Sequence, residues 1–175
     1  NAYVGYMYGT AASSSYEETH ANINDSTIKT VIDTWYQENM ASYTEKLEDT
    51  VWCNDRNIVP DDDYPGIGAG IETTSYGVRD RLYNNRVPNL MCVNENDRFT
   101  VSEENGNGAL TYPVALLTAD EAAYAGGIWF VENTSYYLYT GLTYWSLSPN
   151  AFGGTNSFVW FVRSSGRLND FHVYS

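Results

Sequence analysis

Histidine, lysine, cysteine and long apolar runs are all scarce in this sequence, and each scarcity argues against a class of function. Its two histidines are His20, in a polar stretch, and His172, near the C-terminus, and nothing ties either to a nucleophile. Two cysteines, Cys53 and Cys92, at a spacing that matches no metal motif, argue against a zinc site. There is no GxSxG elbow, no HExxH, no P-loop and no GxGxxG after a strand. Adjacent acids such as Glu17-Glu18, Glu103-Glu104 and Asp120-Glu121 stand at loops or helix starts, where capping and solubility account for them. No run approaches 18 apolar residues, so no membrane-spanning helix is expected. No repeat of 20 to 50 residues appears.

Positive charge is scarce as well. The chain carries 9 Lys and Arg against 22 Asp and Glu, a net charge of −13. Residues 1–126 hold twenty of the acids and seven of the bases; the last 49 hold two of each. An acidic body argues against nucleic acid, whose binding rests on phosphate neutralisation. The neutral tail is where contact with a partner costs least in charge desolvation.

What is present is an apolar fraction of 43% and an aromatic fraction of 15% in 175 residues, enough for one domain with a real core, 1–175. Two cysteines fit one disulfide in an exported protein and equally two buried thiols. Sparse Lys, abundant Tyr, Asn, Thr and Gly, and the acidity favour an extracellular setting, hence a Cys53–Cys92 bond. The start at Asn1, with no signal-like apolar region, leads to the expectation of a leader or anchor removed upstream.

Along the chain, Tyr3 to Tyr8 alternates aromatic and small residues as an opening strand does, and Thr10 to Thr19 reads as a loop. A helix over about 25–40 follows, capped by Asn24, Asp25 or Ser26. Ile28, Val31, Ile32, Trp35 and Met40 form its apolar stripe, expected to face a core. Ser42-Tyr-Thr-Glu45 has capping-box spacing and predicts a short second helix to about Asp49, with Tyr43 and Leu47 inward. Val51, Trp52 and Cys53 read as a buried segment. Asp61-Asp-Asp63 offers three carboxylates but no calcium-loop spacing, so a solvated loop is expected there and no metal. Asn89-Leu-Met-Cys92 and Arg98-Phe-Thr-Val101 predict strands, and Asn105-Gly-Asn-Gly108 a turn. Thr118-Ala-Asp-Glu121 is a second capping box, opening a helix over about 118–125 that Gly126-Gly127 ends.

From Gly127 onward there are thirteen of the 27 aromatic residues and only four charges, Glu132, Arg163, Arg167 and Asp170. Breaks are expected at Asn133-Thr-Ser135, which also fits the N-glycosylation pattern, at Thr140-Gly141 and at Ser148-Pro-Asn150. Ser157 to Arg163, Ser164-Ser-Gly166 and Arg167 to Tyr174 predict a β-hairpin over about 157–174. Period-two alternation puts Trp160, Val162, Leu168 and Val173 inward. That leaves Phe158, Arg163, Arg167, Phe171, His172 and Tyr174 for a recognition surface, or to complete a two-sided core.

Several segments in combination resemble a group of bacterial surface proteins. They include Tyr6-Met-Tyr-Gly9, Thr19-His-Ala-Asn22, Asp25-Ser-Thr-Ile-Lys-Thr-Val-Ile32 and Cys53-Asn-Asp-Arg56. Further on come Gly106-Asn-Gly-Ala-Leu-Thr-Tyr-Pro113, Leu117-Thr-Ala-Asp-Glu121, Ala125-Gly-Gly127, Tyr136-Tyr-Leu-Tyr-Thr-Gly141, Trp145-Ser-Leu-Ser-Pro149 and Ser164-Ser-Gly166. The group resembles C-type-lectin-fold variable proteins diversified by retroelements, some of them pilin-like. The resemblance implies an α+β C-type-lectin-like domain, two main helices packed on an antiparallel sheet, with a variable region over about 150–175. It implies a non-enzymatic adhesion or recognition domain at the cell surface, with an unknown protein or glycan ligand on another cell or host surface. It also implies a membrane or pilus anchor outside this sequence, and no cofactor. The expected contact set is Phe152, Gly153, Gly154, Thr155, Asn156, Phe158, Phe161, Arg163, Arg167, Asn169, Asp170, Phe171, His172 and Tyr174.

The tail permits one check. Adenine changes in AAC codons never yield Lys, Glu, Gln, Met or Trp. From Asn150 onward these five types occur once, at Trp160; average composition gives about five or six. Trp160 then belongs to the scaffold, with Trp145, Val162 and Leu168. The lectin calcium motif is missing, because Ser148-Pro-Asn150 lacks the first carboxylate. The alternatives are a pilin-like structural subunit with no ligand, and a relative of formylglycine-generating enzymes, which need reactive cysteines.

Overall fold

Strand-forming residues are densest in the tail, and the longest strands lie there. The computed structural model, which describes residues 25–59, 73–153 and 156–173, is a mixed α+β structure built on a curled antiparallel sheet. In chain order, helix α1 spans Thr27–Asn39 and strand β1 Trp52–Cys53, with a tight 3-10 turn over Ala41–Lys46 between them. Strand β2 is Thr73–Ser75, and one helical turn, α2, Gly77–Arg79, widens into π geometry over Asp80–Asn85. Then come β3 (Arg98–Phe99), α3 (Ala119–Tyr124), β4 (Tyr144–Gly153), β5 (Asn156–Val162) and β6 (Leu168–Val173). The sheet order is β2-β4-β5-β6, and β1 pairs separately with β3.

The predicted hairpin is β5–β6, with Val162 opposite Leu168 and Trp160 opposite Asp170. Its turn requires Gly166, where φ is +78° and a Cβ would stand 1.6 Å from the Asn133 carbonyl oxygen. Trp160, Val162 and Leu168 are buried and pack with Val78, Leu82, Ala119, Ala122 and Tyr136. Val173, expected in the same row, pairs with Ser157, five residues on from Leu168 and out of step with it, so the register does not continue the inward row there.

Helix α3 brings two of those core residues to the sheet. The Thr118 hydroxyl accepts from the Glu121 N–H at 3.0 Å, and the Glu121 carboxylate accepts from the Thr118 N–H at 2.7 Å, completing the expected capping box. Ser148 on β4 accepts from the Ala119 N–H at 2.9 Å and ties the helix start to the sheet. Asp120 meets Arg81, whose guanidinium lies 2.7 Å from it and 2.8 Å from Asp55. Burial opposes the Arg81 charge, but the two carboxylates hold its pKa above the ordinary value.

Cys53 and Cys92 are joined, with Cα atoms 5.7 Å apart. A second apolar cluster, Phe99, Leu110 and Leu147, gathers Trp52, Ala115 and Leu116 beside the β1–β3 pair.

Four expectations fail, each for a physical reason. Ser148-Pro-Asn150 is no break: β4 runs through it, and the register shifts on either side of Pro149 accommodate the missing N–H. Asn89 to Cys92 is no strand. The Asn89 N–H is taken by Asp120 at 2.8 Å and the Cys92 carbonyl by Arg98 at 2.8 Å, so side chains replace a ladder. Arg98 and Phe99 do form a strand, which stops short of Val101.

The third failure is the stripe of α1. Ser26 holds the N-cap position, but Lys29 and Tyr36 are the buried helical residues, while Val31 and Trp35 are exposed and Ile28, Ile32 and Met40 half-buried. The helix is rolled by about one position. Tyr36 stacks on Tyr112 at 5.0 Å and shares a 2.9 Å hydrogen bond with the Thr44 hydroxyl, and Lys29 pairs with Asp33. Partnered polar groups can therefore occupy the inner face. Fourth, Tyr43 and Leu47 are exposed, since the 3-10 turn that replaces the second helix has no inner face. Trp35, 52% exposed, gives a direct check. Trp35→Ala is expected to cost less than about 1 kcal/mol in chemical denaturation; a loss of about 3 kcal/mol would put Trp35 in the core.

The Tyr3 to Tyr8 strand, the Thr10 to Thr19 loop, His20 and the Asp61 to Asp63 loop lie outside the described residues.

Candidate ligand-binding site

The site follows from the parity of the sheet. Residues directly opposite across antiparallel strands share a face. Trp160 with Asp170 and Val162 with Leu168 belong to the face that packs on α3. Trp145 with Phe161, and Phe161 with Asn169, belong to the other, as do Val159 and Phe171. The Arg163 N–H donates to the Arg167 carbonyl at 3.0 Å, so these residues close the turn one step beyond Val162 and Leu168 and continue the second face.

Where that face reaches the turn, it opens into a cleft of about 300 Å³ lined by Thr143, Trp145, Phe161, Arg163, Ser164 and Phe171. The Trp145 and Phe161 rings are 5.2 Å apart and tilted by 45°, and Phe171 meets Phe161 edge-on at 6.4 Å. Phe161 is only 6% exposed and forms the floor; Phe171, at 43%, forms a wall. The Arg163 guanidinium lies 5.4 Å from the Phe161 ring centre, and that of Arg167 lies 4.9 Å from the exposed Phe130 ring. The Nε of each arginine is buried without a hydrogen-bond partner, and neither arginine has an ion pair among the described residues. Chemically the site offers three aromatic surfaces, two rim hydroxyls and an uncompensated cation.

On the opposite face, burial raises the phenol pKa values of Tyr136 and Tyr144; Tyr136 raises that of Tyr144 further, while the hydrogen bond with Tyr144 opposes the rise at Tyr136. Both phenols therefore stay protonated near neutral pH. The Tyr144 hydroxyl donates to the Leu138 carbonyl at 3.1 Å, a structural contact. Among the described residues, no group of three or more His, Cys, Asp or Glu is placed to hold a metal ion.

The expected contact set is brought together only in part. Phe161, Arg163 and Phe171 meet in the cleft, and Arg167 stands beside it. Phe152 and Asn169 are buried and cannot serve as surface. Phe161 is contact floor rather than an exposed side chain. Phe158 is half-buried and pairs with His172, in step with Trp160 and Asp170, so Phe158 and Asp170 belong to the α3 side of the sheet. A single outward row containing both Phe158 and Phe161 is impossible, because they are three residues apart on one strand. Gly153 and Asn156 are paired at the β4–β5 end, remote in register from the turn. Gly154, Thr155 and Tyr174 lie outside the described residues.

Trp145, expected as buried scaffold, is half-buried on the cleft face, and Thr143 and Ser164 complete the lining. The missed signal was the pairing of Trp145 with Phe161, hidden by reading Ser148-Pro-Asn150 as a break. Comparison with protein-family models, curated proteins and solved structures gives no match.

Proposed function

We infer that this is a non-enzymatic ligand-binding domain displayed at a bacterial surface, with the cleft at the β5–β6 turn as its binding site. The carrying observation is the division of the hairpin by parity: Trp160, Val162 and Leu168 hold the core, while Phe161, Arg163 and Phe171 meet in an open cleft. That division lets the accessible cleft side chains, Arg163, Ser164 and Phe171, change without disturbing the α3 face, which a diversified binding surface requires. The segments that resemble retroelement-diversified variable proteins support the same reading. We assign the finer fold to the C-type-lectin type on that resemblance, with the mixed α+β sheet consistent with it. The joined cysteines favour this reading over the enzyme alternative, which needs a reactive thiol.

The test is a pair of displayed libraries. Randomising Arg163, Ser164, Arg167 and Phe171 together is expected to leave most members folded and to yield binders to unrelated ligands. Randomising Trp160, Val162 and Leu168 is expected to leave few folded members. Equal losses in both libraries, or no binders from the first, would overturn the reading.

A further inference from the structure

Resting on that reading of the cleft, we propose that its ligand is a saccharide ending in a singly charged acidic sugar, with the carboxylate or sulfate held by Arg163 and the sugar ring seated on Phe161 and Phe171. The charge argument comes first. Arg163 and Arg167 face each other across the turn, and like charges directly opposite on neighbouring strands repel. Neither has an ionic partner among the described residues, and each keeps a buried Nε–H without an acceptor. A buried donor left unsatisfied is costly; an anion arriving at the turn relieves the repulsion, and a shift of the Arg163 side chain toward it gives the vacant donor an acceptor.

The shape argument selects the rest of the ligand. A volume of about 300 Å³ is at the small end of ligand sites, the size for a terminal group rather than an extended chain. The cleft lies on the face of β4, β5 and β6, with the interior strands β4 and β5 supplying Trp145 and Phe161. It opens on the face of the sheet rather than along the outer side of β6, the end strand among the described residues, so a peptide added beside β6 would leave the floor of the cleft unfilled. Tilted aromatic faces suit the apolar face of a pyranose, and the Thr143 and Ser164 hydroxyls at the rim can exchange hydrogen bonds with ring hydroxyls.

The net charge of −13 sets the limit on ligand charge. Screening confines the arginine field to about 8 Å at physiological salt. A long polyanion therefore meets the acidic body, whereas a single terminal acid meets only the turn.

The experiment applies the whole chain to an array of short glycans ending in sialic acid, hexuronic acid, a sulfated hexose or a neutral hexose, with heparin as the polyanion. Acid-terminated glycans are expected to be captured at least about tenfold better than their neutral counterparts, with capture falling as salt rises. Arg163→Gln is expected to lower that capture by about tenfold or more at an unchanged melting temperature, and Arg163→Lys to keep part of it. In solution, sialyllactose but not lactose should shift the Arg163 Nε–H and Trp145 indole resonances.

Equal capture of neutral glycans, insensitivity to Arg163→Gln, stronger binding of heparin than of every short acidic glycan, or no capture at all would each overturn the proposal. Neutral capture that depends on Phe171 would reject the acidic ligand while leaving the cleft as a binding site. The two libraries described above test the site itself.

Discussion

Trp160→Ala is expected to destabilise the domain by about 3–5 kcal/mol, enough to unfold a protein of ordinary stability. Trp160 is fully buried, meets Trp129 edge-on at 5.0 Å, and packs in one cluster with Val78, Leu82, Ala119 and Ala122. Removing the indole leaves a cavity bounded by the sheet and by α3, which the capping box and the Ser148 contact hold in place. Urea denaturation checks this, with Phe171→Asn as the control. Phe171 lies in the same hairpin on the other face and is 43% exposed, so its substitution should change stability by no more than about 0.5–1 kcal/mol. Similar losses for the two variants would contradict the assignment of faces. Phe161→Ser belongs with Trp160→Ala in direction, because Phe161 is buried under Trp145 and Phe171.

Breaking the Cys53–Cys92 bond is the second large effect. The bridge spans a sequence separation of 39 residues. In the chain-entropy account, a loop of that length contributes about 3–4 kcal/mol by restricting the unfolded chain. The loop also carries Asp55 and Arg81, and Arg81 bridges from Asp55 to Asp120 at the start of α3. Replacing both cysteines by serine should lower the free energy of unfolding by that amount, and added reductant should reproduce it in the parent protein. A loss under about 1 kcal/mol, or free thiols in the untreated protein, would contradict the bond.

The hairpin, α3 with its capping box, and the disulfide were legible in the sequence because their signals are local or paired. Alternating branched and aromatic residues, a Thr-x-x-Glu spacing and a two-cysteine count need little knowledge of distant neighbours. The roll of α1 was not legible. Ile28, Val31, Ile32 and Trp35 define an apolar stripe, but Tyr36 finds Tyr112 and Thr44, and those partners lie elsewhere in the chain. Nor was the length of β4, because Pro149 reads as a break unless register shifts are known.

The candidate site was half legible for the same reason. Arg163 and Phe171 emerge from alternation along one arm each. Trp145 emerges only from the register between β4 and β5. Phe158 was misplaced by counting large side chains without regard to parity. Phe152 and Asn169 were misplaced by treating the tail as one surface, although much of its second face is covered.

The most direct test of the central claim is to sequence this gene in closely related strains and place the differences on the sheet. The account predicts that substitutions cluster after Asn150 at Arg163, Arg167, Phe171 and their neighbours, drawn from residue types other than Lys, Glu, Gln, Met and Trp. It predicts that Trp160, Val162 and Leu168 stay unchanged. Differences spread evenly along the chain, or falling as often on the α3 face as on the cleft, would contradict it.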